Sequence, residues 1–367
     1  MISFYQVIRV CFLAVWQQEL RTMQKELIIL SAHQRHSGID CARLIAAVFV
    51  LAIHVFPYTT ISQPNDALST LTRTTGRLAV PFFLMTTGYF LYPKQTCNVM
   101  QLKKYISRIL ILYGIATALY LPILVYANYF QNFTFSKLLK DILFNGTFYH
   151  LWYLPASILG TVLVFYLIKY AGSKAALAIS FALYLIGTLG DSYHGFTTAI
   201  PLFEKVLSFI FRTSGFTRNG IFFAPIFILF GSWLSTKAPV KSKGAYFLIS
   251  YTLMVLESFV LNILHMQRHD CMYLFLLPTS VFLFCMILHW NTPHCSNAHR
   301  ISTTMYITHP IIMIAVRLVS KLLNIQHILL ENEIIYFCIS LILSILVGYV
   351  EAVIQNDIQK RKGRYQP

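Results

Sequence analysis

From residue 39 onward the chain alternates long apolar runs with short basic or turn-forming segments. About 20 apolar residues in helical conformation cross the ~30 Å hydrocarbon core of a bilayer. On that criterion the pattern predicts spans at 39–59, 77–93, 105–128, 147–170, 174–190, 219–236, 244–264, 270–290, 301–322 and 331–355. The expected fold is therefore an all-α integral membrane bundle of about ten transmembrane helices. The fourth and fifth runs leave almost no residues between them, so they are expected to be tightly joined. Residues 195–217 contain Glu204, Lys205 and Arg212. They are too charged to span and read as an interfacial helix or loop.

Residues 1–38 form a separate case. The apolar stretch Val7–Trp16 is too short to span and is followed by the charged stretch Gln17–Lys25. No small-residue cleavage site follows it, which argues against a signal peptide. Two readings stand: an interfacial or cytoplasmic amphipathic extension, or an upstream segment of little consequence with the functional start near Met23. The expected organisation is thus an extension at 1–38, a membrane domain at 39–357 and a basic cytoplasmic tail at 358–367.

Composition supports the membrane assignment. Hydrophobic residues make up 57% of the chain and charged residues 11%, against about 25% charged in soluble domains. Nearly all of the 367 residues are consumed by spans, which leaves no room for a sizeable soluble domain. The net charge of +16 is dispersed between the apolar runs. It therefore reads as topology signal and attraction to anionic lipid, with no nucleic-acid partner. A cytoplasmic N-terminus places Lys94, Lys103, Lys104, Arg108, Lys169, Lys174, Lys237, Lys241, Lys243, Arg300 and the Lys360–Arg364 tail on the inner side. With an even number of spans, both termini are cytoplasmic. The seven cysteines show no C-x-x-C pattern and no ligand spacing with histidine, so no metal site and no disulfide framework is expected.

Ionisable residues inside apolar runs are the candidates for chemistry, because a central Arg costs about 2.5–3.5 kcal/mol on insertion scales. Arg43 and His54 both lie in the first run. Eleven helical residues return to within roughly 20° of the start and advance about 16 Å, so the two share one face. Arg77 opens the second run, ahead of Thr86, Thr87 and Gly88, which suit close helix packing. His150 and Trp152 open the fourth, where an interfacial aromatic belt is the competing explanation. Arg218 and Asn219 open the sixth, where a guanidinium and free backbone N–H groups can bind a carboxylate or phosphate. Glu257 lies mid-run, Asp270 opens the eighth run, and His309 directly precedes Pro310 in a threonine-rich segment that offers a polar pocket.

Four motifs in order resemble the acyltransferase-3 family of membrane proteins: Arg43–x10–His54, Arg77…Val80-Pro81-Phe82-Phe83…Gly88-Tyr89, His150-Leu151-Trp152-Tyr153-Leu154 and Met305-Tyr306-Ile307-Thr308-His309-Pro310. The resemblance covers about residues 39–355. It implies His54 as catalytic base, with Arg43 and Arg77 binding the phosphates of an acyl donor, acetyl-CoA, from the cytoplasm. Many members have Ser-Gly-Phe or Ser-Gly-Tyr where this chain has Thr87-Gly88-Tyr89. A closer resemblance, carried by Asn145-Gly146, Leu183–Gly187, Gly190-Asp191-Ser192, Thr217–Phe223 and His269–Phe275, is to the membrane half of the VanT-type serine racemases. Those proteins belong to vancomycin resistance in Gram-positive bacteria and supply D-serine for peptidoglycan precursors.

This second resemblance implies a plasma-membrane module importing L-serine, or another small hydroxyl-bearing substrate, for a tethered cytoplasmic racemase domain. That domain would carry pyridoxal phosphate, and no cofactor is expected in this chain itself. Arg218 and Arg77 would then take the carboxylate, and Glu257, Asp270 or Asp191 the ammonium. Three readings stay open on the sequence: a permease module, an O-acyltransferase and an inert membrane anchor.

Overall fold

A computed structural model describes residues 37–56, 67–131, 134–236, 244–290 and 297–363. The predicted extension up to residue 36, the loop lysines Lys237, Lys241 and Lys243, and the end of the tail at 364–367 lie outside the described residues. In chain order the helices are α1 (Ser37–Val55), α2 (Ala67–Gly76), α3 (Ala79–Leu91), α4 (Val99–Tyr126), α5 (Phe135–Lys140), α6 (Tyr153–Leu189), α7 (His194–Thr197) and α8 (Pro201–Ser214). They continue with α9 (Ala224–Leu234), α10 (Gly244–Ile263), α11 (Leu276–Ile287), α12 (Ala298–Leu322), α13 (Gln326–Leu329) and α14 (Glu333–Gly363). Every regular element among the described residues is helical, as the apolar pattern requires.

Six of these helices are long and apolar enough to cross a membrane: α1, α4, α6, α10, α12 and most of α14. They cover seven of the ten expected runs, since α6 holds both the fourth and the fifth, and the reasons why the other three fall short are local. The sixth run does not become helix at Asn219, because its side chain holds a turn. Asn219 Oδ1 accepts from the N–H groups of Ile221 (2.8 Å) and Phe222 (3.1 Å), and its amide donates to Phe216 O (2.8 Å). The backbone N–H groups expected to be free for an anion are thus already taken, and α9 is left with 11 residues. The eighth run likewise starts late, at Leu276, because Glu257 binds the N–H groups just ahead of α11. In the second run, Pro81 has no N–H to offer Arg77 O, and the chain breaks between α2 and α3.

The chain separates into two compact units, residues 84–236 and residues 37–83 with 244–363. In the first unit α6 runs 37 residues but is interrupted at Gly172, whose φ of 78° and ψ of 163° are not helical. A straight helix would hold Trp152 and Tyr184 roughly 48 Å apart. Instead both rings lie against Phe223, at 5.9 and 6.4 Å between centroids. The helix therefore folds back on itself at Gly172, matching the tight join expected between the fourth and fifth runs. Residues 201–214 form the short helix α8, with Leu202, Phe203, Val206 and Phe209 exposed, in keeping with an interfacial element.

Close backbone approach fixes the crossing of α3 and α9 within this unit. A Cβ on Gly88 would sit 1.9 Å from Ile228 O, and one on Gly231 would sit 2.0 Å from Met85 O. Glycine at both positions lets the two backbones touch, a packing mode on which membrane helices rely. Ser232 Oγ donates to Tyr92 O (2.8 Å), and Tyr92 OH donates to Thr161 O on α6 (2.6 Å).

In the second unit α1 lies against α2, α12 and α14. Leu51, Val55, Ile312, Met313, Val316 and Tyr336 form a buried core there, and Tyr336 OH donates to Met313 O (3.0 Å). Gly76 admits α1, since a Cβ there would stand 2.2 Å from Ile53 Cγ2.

Gly231→Ala forces two backbones apart in the first unit and should cost about 1–3 kcal/mol, as overpacking does. The expected outcome is a lower thermal midpoint and less monodisperse protein by size exclusion in detergent. Gly114→Ala, at a position with nothing within 4 Å of a new Cβ, should leave both measurements unchanged.

Candidate functional site

The second unit gathers most of the intramembrane ionisable groups. Arg43 and His54 stand eleven residues apart on α1, as the pattern predicts. Arg43 Nη1 pairs with Asp40 Oδ1 at 2.5 Å, one helical turn before it. His54, partly buried, stacks on His309 of α12 with ring centroids 5.3 Å apart and planes 20° from parallel. His309 is 1% exposed, and its Nδ1 lies 3.0 Å from Met305 O. A carbonyl only accepts, so Nδ1 carries the proton, and in the neutral ring the basic nitrogen is Nε2. Pro310, next in the helix, has no N–H for Tyr306 O, which places a second carbonyl without its helical donor beside the ring. Two imidazoles from different helices thus meet inside the bundle.

The strongest electrostatic feature is a carboxylate shared by two guanidiniums. Asp270 pairs through one oxygen with Arg73 Nη2 and through the other with Arg77 Nη2, and Arg77 Nε donates to Asp270 O at 2.8 Å. The Asp270 side chain is 5% exposed. Arg77 and Asp270 were expected in separate roles, as anion binder and ammonium binder, and they are bound to each other. Arg73 was missed by the sequence reading because it lies ahead of the predicted second span. Next to it, Thr74 Oγ1 donates to Ser258 Oγ (2.7 Å), and Ser258 Oγ lies 3.1 Å from Tyr273 OH.

Glu257 has a defined local partner. Its two carboxylate oxygens accept from Leu274 N (2.6 Å) and Phe275 N (2.9 Å). This satisfies N–H groups at the start of α11 and places a negative charge at the positive end of that helix. A further buried polar cluster joins α12 to α14. Arg300 Nη1 donates to Asn356 Oδ1 (2.8 Å), Thr304 Oγ1 lies 3.5 Å from Glu351 Oε2, and Asn356 reaches Asn297 (3.3 Å). Arg300, expected on the inner side just ahead of the ninth run, is 7% exposed inside this cluster.

His150, Trp152, Arg218 and Asn219 belong to the first unit. His150 is 2% exposed and enclosed by the rings of Tyr120, Phe148 and Tyr149 at 5.0, 5.6 and 5.6 Å. The Arg218 guanidinium lies 5.3 Å from the Trp152 ring and 4.9 Å from that of Phe216, a cation–π arrangement that orients it. Asp191 is fully buried and accepts from Ser192 Oγ at 3.2 Å. Among the described residues no group of three His, Cys, Asp or Glu side chains has the arrangement of a metal site.

Two proteins of Enterococcus faecalis named amino-acid racemase are 34% and 37% identical, over 92% and 89% of this chain but 48% and 47% of their own length. A serine/alanine racemase of Enterococcus gallinarum is 34% identical over 85% of this chain and 45% of its own length. The chain thus spans about half the length of the relatives it matches. No solved structure matches it. Residues 36–352 match the acyltransferase domain along most of the chain, and the protein belongs to the acyltransferase-3 family.

Proposed function

We propose that this chain is the membrane module of an amino-acid racemase and that it imports L-serine for a racemase domain on the cytoplasmic side. The observation that carries this reading is the alignment of nearly all of the chain with less than half of proteins named racemase. Six membrane-length helices make a permeation role physically available. The polar groups inside them supply a path that lipid-facing helices alone would lack. In this reading the Arg73–Asp270–Arg77 group and the His54–His309 pair line the route. Racemisation, with its pyridoxal phosphate, is assigned to the half of the relatives that this chain does not align with. The host is a Gram-positive bacterium, the module sits in its plasma membrane with both termini inside, and D-serine supply for peptidoglycan in vancomycin resistance is the use.

A second reading, acyl transfer, is favoured by the His54–His309 stack. Here an imidazole takes the proton from an acceptor hydroxyl as that oxygen attacks the thioester carbonyl of acetyl-CoA. The C–S bond breaks, the ester forms, and the thiolate leaves to be protonated as free CoA. Arg43, paired with Asp40 and roughly 16 Å along α1 from His54, would share its guanidinium with the donor's phosphates. Arg77 can join it by sharing its guanidinium with Asp270. Serine itself carries a hydroxyl, so the two readings use overlapping chemistry.

Import predicts that proteoliposomes holding the full chain accumulate labelled L-serine above empty vesicles, by filtration assay. Uptake equal to empty vesicles would remove the import reading. Acyl transfer predicts that CoA binding, measured by calorimetry, weakens about tenfold or more in Arg43→Ala, in line with loss of a charge-assisted contact. It also predicts that acyl-CoA turnover falls about 10²–10⁴-fold in His54→Ala, the usual contribution of a general base. Unchanged turnover in His54→Ala would remove that role.

A further inference from the structure

A cavity of about 150 Å³ lies at the loop between α10 and α11, lined by Leu261, Asn262, His265, Gln267, Arg268 and His269. Its lining holds one guanidinium, two imidazoles and two amides, with no carboxylate. Asp270, the adjacent acid, is closed onto Arg73 and Arg77 and is 5% exposed. The lining itself therefore offers N–H donors and one fixed positive charge, the Arg268 guanidinium. Its side-chain acceptors are the amide oxygens of Asn262 and Gln267 and the imidazole nitrogens.

That donor set matches a zwitterion. A guanidinium fork takes both oxygens of a carboxylate, and amide oxygens accept from an ammonium or a hydroxyl. The volume falls below the roughly 300–1,000 Å³ of pockets for drug-sized ligands, so a small amino acid fits the scale and a nucleotide does not. His265 is held at the rim by backbone geometry. Its φ of 52° is left-handed, at the end of α10 where glycine is the relaxed choice, and the turn is closed by His265 N→Asn262 O (3.0 Å) and Met266 N→Leu261 O (3.1 Å).

The cavity wall is also wired inward. Gln267 Nε2 lies 3.4 Å from both Ser258 O and Tyr273 OH, and Tyr273 OH reaches Ser258 Oγ, which contacts Thr74. Thr74 sits on α2 beside Arg73, in the segment that leads to Arg77. An occupant of the cavity therefore touches the end of a polar chain that reaches Thr74, the residue next to Arg73 on α2.

We infer that this cavity is a reception site for a small α-amino acid, with Arg268 as the carboxylate ligand, His265 and His269 supporting its charge, and Asn262 and Gln267 taking the ammonium or hydroxyl. The inference rests on the import reading, in which this loop faces outward and serine arrives from that side.

The test uses the full chain in nanodiscs and equilibrium binding of labelled L-serine, with uptake into proteoliposomes measured in parallel. Arg268 is exposed, so Arg268→Gln is expected to fold. It should weaken serine binding about tenfold or more and raise the half-saturation of uptake with little change in maximal rate. Phenylglyoxal modification of Arg268, mapped by peptide mass spectrometry, should be slowed by L-serine and not by inorganic phosphate or CoA. Wild-type-like serine binding by Arg268→Gln, or equal protection by phosphate, overturns the site while import stands if uptake persists. Serine binding that depends on Arg268 without any uptake by the unaltered chain removes import and keeps the site. Absence of both binding and uptake removes the two together.

Discussion

A polar group buried away from water must find its partner within the protein. The Asp270 carboxylate meets that demand by closing onto two guanidiniums and lending its backbone carbonyl to one of them. Removing Asp270 would leave two buried guanidiniums uncompensated, and breaking a buried pair typically costs about 3–5 kcal/mol. Three charges and a carbonyl thus hold α2, the α2–α3 break and the entry to α11 in one arrangement. The hydroxyl contacts through Thr74, Ser258 and Tyr273 extend it into α10.

The same demand explains where the apolar pattern mislocates helix ends. Composition alone marks Asn219 and Asp270 as the first residues of spans, since the residues after them are continuously apolar. Helix start, however, is decided by which donors are already satisfied. Asn219 ties up the N–H groups of Ile221 and Phe222 in a turn, and Glu257 takes those of Leu274 and Phe275 from a distant position in the chain. The first effect has a local signal, because Asn favours turns that bond their own backbone. The second has none, because it depends on α10 lying against α11. The α6 hairpin was legible because the runs 147–170 and 174–190 leave only three residues between them, and the structure puts the break at Gly172.

Site residues divide along a similar line. His54 and His309 were each visible as polar residues in apolar runs, yet their stacking depends on α1 meeting α12 and is a tertiary fact. Arg73 carried no signal and Arg300 read only as an inner-side charge, for a simpler reason. Both sit just outside apolar runs, where basic residues pass as ordinary loop charges, and both are buried because α2 forms ahead of the second run and α12 starts ahead of the ninth. An Arg within a few residues of a predicted span is therefore an ambiguous signal. Only the neighbouring element decides whether it reaches water or a carboxylate.

These pairings narrow what the charged groups can do. Glu257 bonds two backbone donors, and Asp270 is neutralised by arginine, so neither is presented as an open ammonium ligand. A zwitterionic substrate would then be recognised first through its carboxylate, by groups with positive charge, and its ammonium by neutral oxygens. Threonine hydroxyls, amide carbonyls and the Tyr306 carbonyl beside Pro310 are of that kind. Neutral acceptors bind an ammonium less tightly than a carboxylate does, and weaker binding favours release on the far side. By contrast, the imidazole pair holds a basic nitrogen at His309 Nε2, since Nδ1 faces the Met305 carbonyl. The two readings of the module therefore differ in what reaches these rings: a passing amino acid, or a hydroxyl aligned with an acyl donor.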